Sequence, residues 1–264
     1  MRNETLNTIM QRRSVRAYTD RQISQEEKDA ILDATLRAPT AGNMMLYSII
    51  EVADQKLKDQ LVVSCDNQPF IAKAPYVLLF AADYQRWVDI FIADHAPERA
   101  LELGVDPRLP QEGDLMLAVC DTLIASQTAV IAAESMGIGS CYIGDIMENY
   151  EVHQAMFLLP KYVLPIALLC FGYPQQGLIN KKLVERFDRQ FVVHRDTYHH
   201  LNTAELERMV QPIVERNRER NVPGAENLGQ SIYLRKFVSG FSVEMSRSVK
   251  EMILRWTSLD QSNS

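Results

Sequence analysis

Residues 10–20, MQRRSVRAYTD, place three guanidinium groups and a hydroxyl within five positions near the start of the chain. Arg12, Arg13 and Arg16 surround Ser14, although the whole protein carries a formal net charge of -6. Guanidinium groups bind phosphate oxygens through paired, charge-assisted hydrogen bonds. The cluster therefore indicates a site for a small anion. The alternative is that these arginines interact only with a helix dipole and with water.

Other chemical motifs are incomplete. GIGSCYIG resembles a dinucleotide fingerprint, but Tyr142 stands where GxGxxG needs its last glycine, and the stretch follows a predicted helix rather than a strand. The sequence contains no Walker A, HExxH or GxSxG motif. No serine or cysteine stands in a context that marks a nucleophile, so we expect no catalytic side chain of this kind and a cofactor that carries the chemistry.

Three histidines lie close together in the sequence, at His194, His199 and His200. With Asp196 they could form a metal site, because imidazole and carboxylate groups are common metal ligands. Solvated or hydrogen-bonded histidines are the commoner outcome, and we predict no metal.

The composition is that of an ordinary globular protein, with 47% hydrophobic and 23% charged residues in 264. A pI near 5.5 argues against a nucleic-acid binder. The four cysteines form no CxxC pair, which is typical of reduced intracellular thiols. The first residues are polar, and no apolar run looks long enough to cross a bilayer. We therefore expect a soluble, cytoplasmic protein that binds neither nucleic acid nor membrane.

Hydrophobic periodicity predicts the elements that position the arginines. A first helix ends at the cluster, and a second begins with a capping box formed by Ser24 and Glu27 and ends at Pro39. The further predicted elements are strands at Tyr47–Val52, Pro75–Asp83 and Tyr162–Pro174, helices at Lys56–Val63 and Leu115–Met136, an edge strand at Gln190–His194, and helices at Thr203–Arg220 and Ser231–Thr257.

Six segments in order resemble the flavin-dependent nitroreductase family: RRSVRAY, APTAGNM, NQPFIAKAPYVLLFAADYQR, GIGSCYIGDI, LPKYVLPIALLCFGYP and ERFDRQFVVHRDTY. FAADYQR and the long C-terminal tail resemble the larger flavin-reductase and oxygen-insensitive nitroreductase branch. The resemblance implies an α+β, three-layer nitroreductase-like fold with a central mixed sheet, a long central helix and a helical C-terminal extension. It implies an FMN-binding domain over residues 1–200 and an extension over 201–264 packed on it.

The same resemblance implies an enzyme that binds FMN without a Rossmann motif, as an obligate homodimer with flavins at the subunit interface. Hydride would pass from NADPH or NADH to the flavin, and then to a small-molecule electron acceptor such as a nitroaromatic, a quinone or free flavin, by ping-pong turnover. Two alternatives stay open. One is a flavin-binding protein without turnover, and the other is a helical interaction protein that uses the C-terminal helices.

The resemblance also implies roles for single residues. Arg12 and Ser14, with Arg13 beside them, would hold phosphate or ribityl oxygens, and Arg186 would be a second phosphate ligand. Arg16 would lie near the pyrimidine edge of the ring, where a fixed cation stabilises the negative charge of the reduced flavin.

The ring would be contacted by three further parts of the chain. Gln68 would hydrogen-bond the isoalloxazine, the backbone of Tyr142, Ile143 and Gly144 would run along it, and Pro39, Thr40, Ala41 and Asn43 would reach the flavin of the partner subunit. Two positions depart from the family pattern. Met45 stands where many relatives have glutamine, and Asp145 stands where glycine is frequent.

Overall fold

The structure, a computed structural model, describes residues 3–179, 182–216 and 223–258. Its sheet has the order β1-β2-β4-β3, with β1 at Tyr47–Glu51, β2 at Tyr76–Asp83, β3 at Gly139–Ile143 and β4 at Val163–Gly172. All three strand pairs are antiparallel. The resemblance implied a mixed sheet, but the four strands pair only in the antiparallel sense. Within the described ranges, parallel pairing is confined to a single bridge between Ser14 and Ser140.

The described ranges also contain twelve α-helices. They are α1 Glu4–Gln11, α2 Gln25–Thr35, α3 Gln55–Ser64, α4 Phe70–Lys73, α5 Gln85–Ala93, α6 Ala96–Glu102, α7 Glu112–Ser135, α8 Tyr150–Phe157, α9 Gln176–Ile179, α10 Thr203–Arg216, α11 Leu228–Ile232 and α12 Gly240–Thr257. Short 3-10 turns occupy Ala41–Asn43, Gly144–Met147 and Arg189–Phe191, and a π turn occupies Tyr233–Phe237.

The three-layer arrangement is confirmed by the alternation of side chains along β2. Leu78 and Phe80 pack into a core cluster with α2 and α7, whereas Val77 and Leu79 pack into another cluster with α3 and α4. Successive side chains of a strand point to opposite faces, so both faces of this strand are covered. Every residue of β2 and of β4 is buried, as the continuous apolar runs predict.

Helix α7 is long and apolar enough, by length and composition alone, to cross a membrane. The expectation that no segment reaches that size was therefore wrong. Ala118, Ala125 and Ala129 are fully buried in the core clusters, and small side chains let the helix axis approach the sheet closely. This packing is that of the core helix of a globular domain.

The chain divides into two compact units, one of residues 1–180 with 244–264 and one of residues 181–243. In the first unit the fully buried Trp256 of α12 packs edge-on against Tyr162, with ring centroids 5.4 Å apart, and its indole N–H donates to Gln111 O at 3.2 Å. The end of α12 is thus part of the first unit's core. The division into an FMN-binding domain at residues 1–200 and a helical extension at 201–264 stays a prediction.

Two predicted elements of the C-terminal part were wrong. Instead of an edge strand at Gln190–His194, the chain makes a 3-10 turn, because the Asp188 carboxylate accepts from the Gln190 N–H at 3.0 Å and caps it. The single helix predicted over Ser231–Thr257 breaks after the π turn, at Val238 and Ser239. The predicted helix to Arg220 is described only as far as Arg216, and residues 217–220 lie outside the described residues.

Candidate active site

The arginine segment lies alongside the sheet. After α1 the chain becomes extended, and the Val15 N–H donates to Ser140 O at 2.9 Å while the Thr19 N–H donates to Tyr173 O at 2.8 Å. These bonds fix residues 14–19 next to β3 and the end of β4. The cluster therefore lies at the end of the first helix, as predicted, and beside a strand that sequence patterns did not reveal.

Two glycines permit this close approach. A Cβ atom built on Gly139 would collide with the side chain of Val15, whose Cβ would lie only 2.9 Å away. A Cβ on Gly172 would collide with the ring of Tyr18 and lie 2.9 Å from Cδ of Pro75. Glycine at both positions is what lets the arginine segment lie against the sheet.

We expect Gly139→Ala to lower the free energy of unfolding by about 1–3 kcal/mol, because the added methyl group must displace Val15 in a packed core. The displaced segment carries Arg12 and Arg16, so anion binding should weaken as well. Gly113→Ala in α7 is the matched control, since nothing lies within 4 Å of its Cβ position. Urea unfolding of both variants measures the difference, and a Gly139→Ala protein as stable as the control would contradict the packing described.

The arginines of the cluster differ in their contacts. Arg13 donates from Nη1 to Leu178 O at 2.7 Å. The Arg16 guanidinium lies 5.7 Å from the centre of the Phe70 ring. Neither Arg12 nor Arg16 forms an ion pair with a carboxylate within the described part of the chain. Guanidinium groups that form no ion pair keep donors that an anion can bind.

The charges of the arginine cluster affect the pKa values of neighbouring titratable groups. Burial raises the pKa of the Cys141 thiol, while Arg16, the Ser14 hydroxyl and Arg12 act in the opposite direction. Burial likewise raises the pKa of the Glu134 carboxyl, which accepts from the Ser140 hydroxyl at 3.2 Å. Arg12 and Ser14 thus both lie close to β3, as the predicted site requires.

The predicted ring-binding segment begins at the end of β3. The Tyr142 hydroxyl and the Ser126 hydroxyl are 2.9 Å apart, Ile143 is buried, and Gly144 is exposed at the start of a 3-10 turn. Gln68 lies next to this turn, because its Nε2 donates to Oδ2 of Asp145 at 2.9 Å. The structure therefore brings Gln68 and Gly144 into one neighbourhood.

The PTAGN loop is anchored by a residue that sequence reasoning missed. The carboxylate of Asp121, in the middle of α7 and 3% exposed, accepts from the hydroxyl of Thr40, from the Ala41 N–H at 3.0 Å and from the Leu46 N–H at 3.2 Å. Met45, a non-glycine residue, has φ +50 in this loop. Such a conformation persists only where its surroundings fix it, and Asp121 does so here.

The structure does not join every predicted residue into one site. In the described ranges, no hydrogen bond, ion pair or ring contact links the loop that holds Pro39, Thr40, Ala41 and Asn43 to the arginine cluster. Arg186 is exposed and lies in the second compact unit, in an irregular segment before α10.

The histidines make local contacts. His199 Nε2 lies 3.1 Å from Oε2 of Glu205, and the rings of His194 and Tyr198 are 4.9 Å apart. Over the described ranges no group of three or more histidine, cysteine, aspartate or glutamate side chains is arranged to hold a metal ion.

The donor set beside β3 fits an anionic cofactor. Arg12 and Arg16 lack carboxylate partners among the described residues, the Ser14 hydroxyl lies beside them, and the Gln68 amide lies near Gly144 on the adjoining turn. Guanidinium groups and a hydroxyl suit a phosphate with its polar chain, whereas an amide and a bare glycine suit the edge of a planar heterocycle. The fold is that of an α+β protein with a basic cluster beside β3, at the edge of its sheet.

Comparisons with known proteins identify the class. The model of the nitroreductase family matches residues 9–173. The FMN reductase (NADPH) of Bacillus subtilis is 35% identical over 204 residues, 77% of this chain and 78% of that protein. The oxygen-insensitive NADPH nitroreductase of Salmonella typhimurium is 31% identical over 211 residues, 80% and 81% of the two chains. The chain belongs to the nitroreductase family.

The fold agrees with solved structures of relatives. The NfrA1 nitroreductase of Bacillus subtilis has a TM-score of 0.77 and 30% sequence identity, with 94% of this chain and 98% of that chain covered. The resemblance inferred from the six segments and the α+β class are both confirmed.

Proposed function

We propose that this chain is an FMN-dependent NAD(P)H oxidoreductase. The observation that carries the proposal is the pair of guanidinium groups, Arg12 and Arg16, that have no carboxylate partner in the described ranges and lie beside β3. The relatives named FMN reductase and NADPH nitroreductase support the choice of cofactor and electron donor. The acceptors we propose are nitroaromatics, quinones or free flavin, reduced in a ping-pong sequence.

Phosphate binding is the proposed role of the basic residues. Arg12, Arg13 and Ser14 would donate to the phosphate and ribityl oxygens, and Arg186 would be a second phosphate ligand. Arg16 would place its fixed charge near the pyrimidine edge. Bound FMN would supply the hydride-transfer chemistry between NAD(P)H and the acceptor. Arg16 would favour the reduced state electrostatically, because that state carries added negative charge.

The ring would be held by the turn after β3. Gln68 would hydrogen-bond it, and the backbone of Tyr142, Ile143 and Gly144 would run along it. Glycine at position 144 leaves open space, since nothing lies within 4 Å of its Cβ position. A ring can therefore approach the backbone there.

Anaerobic mixing with NADPH or NADH tests the function. We expect the purified protein to be yellow and its flavin absorbance to bleach quickly on mixing, and then to return on addition of a nitroaromatic or a quinone. A yellow protein that does not bleach would favour the flavin carrier without turnover. A colourless protein that does not take up FMN would favour the helical interaction protein.

We also propose a homodimer. The loop of Pro39, Thr40, Ala41 and Asn43 forms no hydrogen bond or ion pair with Arg12 or Arg16 among the described residues, and it would serve the flavin of the partner subunit instead. We expect solution scattering of the FMN-loaded protein to give about twice the mass of one chain, in line with the closed two-fold symmetry of most oligomers. A monodisperse, FMN-loaded monomer would contradict this.

A further inference from the structure

A buried carboxyl group lies next to the predicted ring-binding turn and has no role in the function proposed above. Glu148 is 4% exposed, and its Oε1 has no hydrogen-bond partner in the described ranges. Its N–H donates to Asp145 O at 3.0 Å, and its side chain lies within hydrogen-bonding reach of the Asp145 carboxyl. A buried carboxyl group that lacks partners is costly when charged.

The charges that face Glu148 are mostly of its own sign. Asp145 comes from the 3-10 turn, Asp66 follows α3, and Glu244 belongs to α12. The other titratable groups around it are the Cys65 thiol, the His153 imidazole of α8, and Arg247, which pairs with Glu244 at 2.8 Å and with Glu151 at 2.8 Å.

Burial, followed by the Asp145, Asp66 and Glu244 carboxylates, raises the pKa of the Glu148 carboxyl to about 7. The Glu148 carboxyl is therefore partly ionised near pH 7, and it can bind a proton when negative charge is added nearby.

This pair is connected to the predicted ring contact. Gln68 Nε2 donates to Oδ2 of Asp145 at 2.9 Å and to Cys65 O at 3.0 Å. Both partners accept hydrogen bonds only, so the orientation of the amide is determined and its carbonyl oxygen is left for another donor. Asp145 therefore lies one hydrogen bond from a side chain that is predicted to contact the cofactor.

We propose that Asp145 and Glu148 form a proton-uptake site that is coupled to reduction of the cofactor. The inference rests on the proposed function, because it needs the ring to bind beside Gly144. Hydride transfer from NAD(P)H adds two electrons and one proton to the cofactor, which gains one negative charge. The ionised Glu148 carboxylate then binds one proton from solvent and becomes a carboxylic acid, so that the total charge of the site is preserved. The carboxylic acid releases this proton again when the acceptor removes the hydride from the cofactor.

The test is the midpoint potential of the FMN-loaded protein measured against pH. A tenfold rise in the proton affinity of the pair on reduction is equivalent to about 30 mV for a two-electron couple. We expect the wild-type potential to fall by about 30 mV more than that of Glu148→Gln between roughly pH 6 and pH 9, since the neutral amide takes up no proton. Asp145→Asn should reduce this extra fall, because it removes one of the carboxylates that raise the pKa of Glu148. The exposed Glu26→Gln variant is the control and should follow the wild type.

Parallel curves for the wild type and Glu148→Gln would overturn the inference. A second measurement needs neither FMN nor a variant that folds. Carbon-13 NMR of the assigned glutamate carboxyl groups in FMN-free wild-type protein should show that Glu148 titrates near pH 7. Titration of the Glu148 signal in the ordinary glutamate range, about pH 4 to 5, would also overturn it. Failure to bind FMN would refute the proposed function, and the NMR titration would still decide whether the pair holds a proton.

Discussion

Replacing Arg12 with alanine is expected to weaken FMN binding about 10- to 100-fold, because a hydrogen bond to a charged group contributes about 1.5–3 kcal/mol. Arg12 has no carboxylate partner among the described residues and lies beside β3 with Ser14. Its loss removes a proposed phosphate donor without breaking an ion pair among the described residues. Fluorescence titration of the FMN-free variant with FMN measures the change.

Arg16→Ala is the informative comparison. The charge of Arg16 is predicted to act on the flavin ring rather than on the phosphate. The variant should therefore slow flavin reduction by NADPH more than it weakens FMN retention. Arg255→Ala removes an equal charge from α12, where Arg255 contacts Gln154 at 2.8 Å, and should leave both quantities unchanged. Equal losses of retention in Arg12→Ala and Arg16→Ala, with no effect on reduction, would refute this division of roles.

Asp121→Ala is expected to lower the free energy of unfolding by about 3–5 kcal/mol, which is large for a single substitution. The carboxylate accepts from Thr40, Ala41 and Leu46, and its removal would leave these donors unpaired in a buried place. Chemical denaturation measures the loss, and the loop of residues 39–46 should become sensitive to proteolysis.

Two further variants test whether the lost hydrogen bonds of Asp121 cause the loss of stability. Asp121→Asn keeps one acceptor oxygen and should lose less stability than Asp121→Ala. Asp59→Ala removes an exposed carboxylate of α3, which accepts from Gln55 at 2.9 Å, and should change stability by less than about 0.5 kcal/mol. If Asp121→Ala were no less stable than Asp59→Ala, the anchoring role of Asp121 would be wrong.

Local signals predicted much of the fold. Both hydrogen bonds of the capping box between Ser24 and Glu27 are present, and the two long apolar runs became β2 and β4. These features depend on neighbouring residues or on burial of a whole segment, so the sequence contains their cause.

The elements that sequence patterns missed depend on contacts between distant residues. Strand β3 has only five residues and exists because it pairs with β4. Helices α5 and α6 were not predicted in the stretch after Asp83. The break before α12 follows from Ser239, whose carbonyl accepts from the Val243 N–H at 3.1 Å and begins a new helix.

The sequence predicted the binding residues of the candidate site better than the buried residues that surround them. The arginine cluster was visible because charge and spacing are properties of the sequence. Asp121 and Glu148 were not, because nothing in the sequence around them distinguishes them from surface acids. Only the fold buries them, and burial is what makes a carboxylate an anchor or a proton carrier.

Calorimetric titration of the FMN-free protein with FMN and with riboflavin tests most directly whether the basic cluster holds a phosphate. The two ligands share the ring and the ribityl chain, so the difference in affinity reports the phosphate alone. We predict that FMN binds at least about 100-fold more tightly than riboflavin, since two charge-assisted contacts are at stake, and that Arg12→Ala loses most of this preference. Equal affinity for the two ligands, or no binding of FMN, would contradict it.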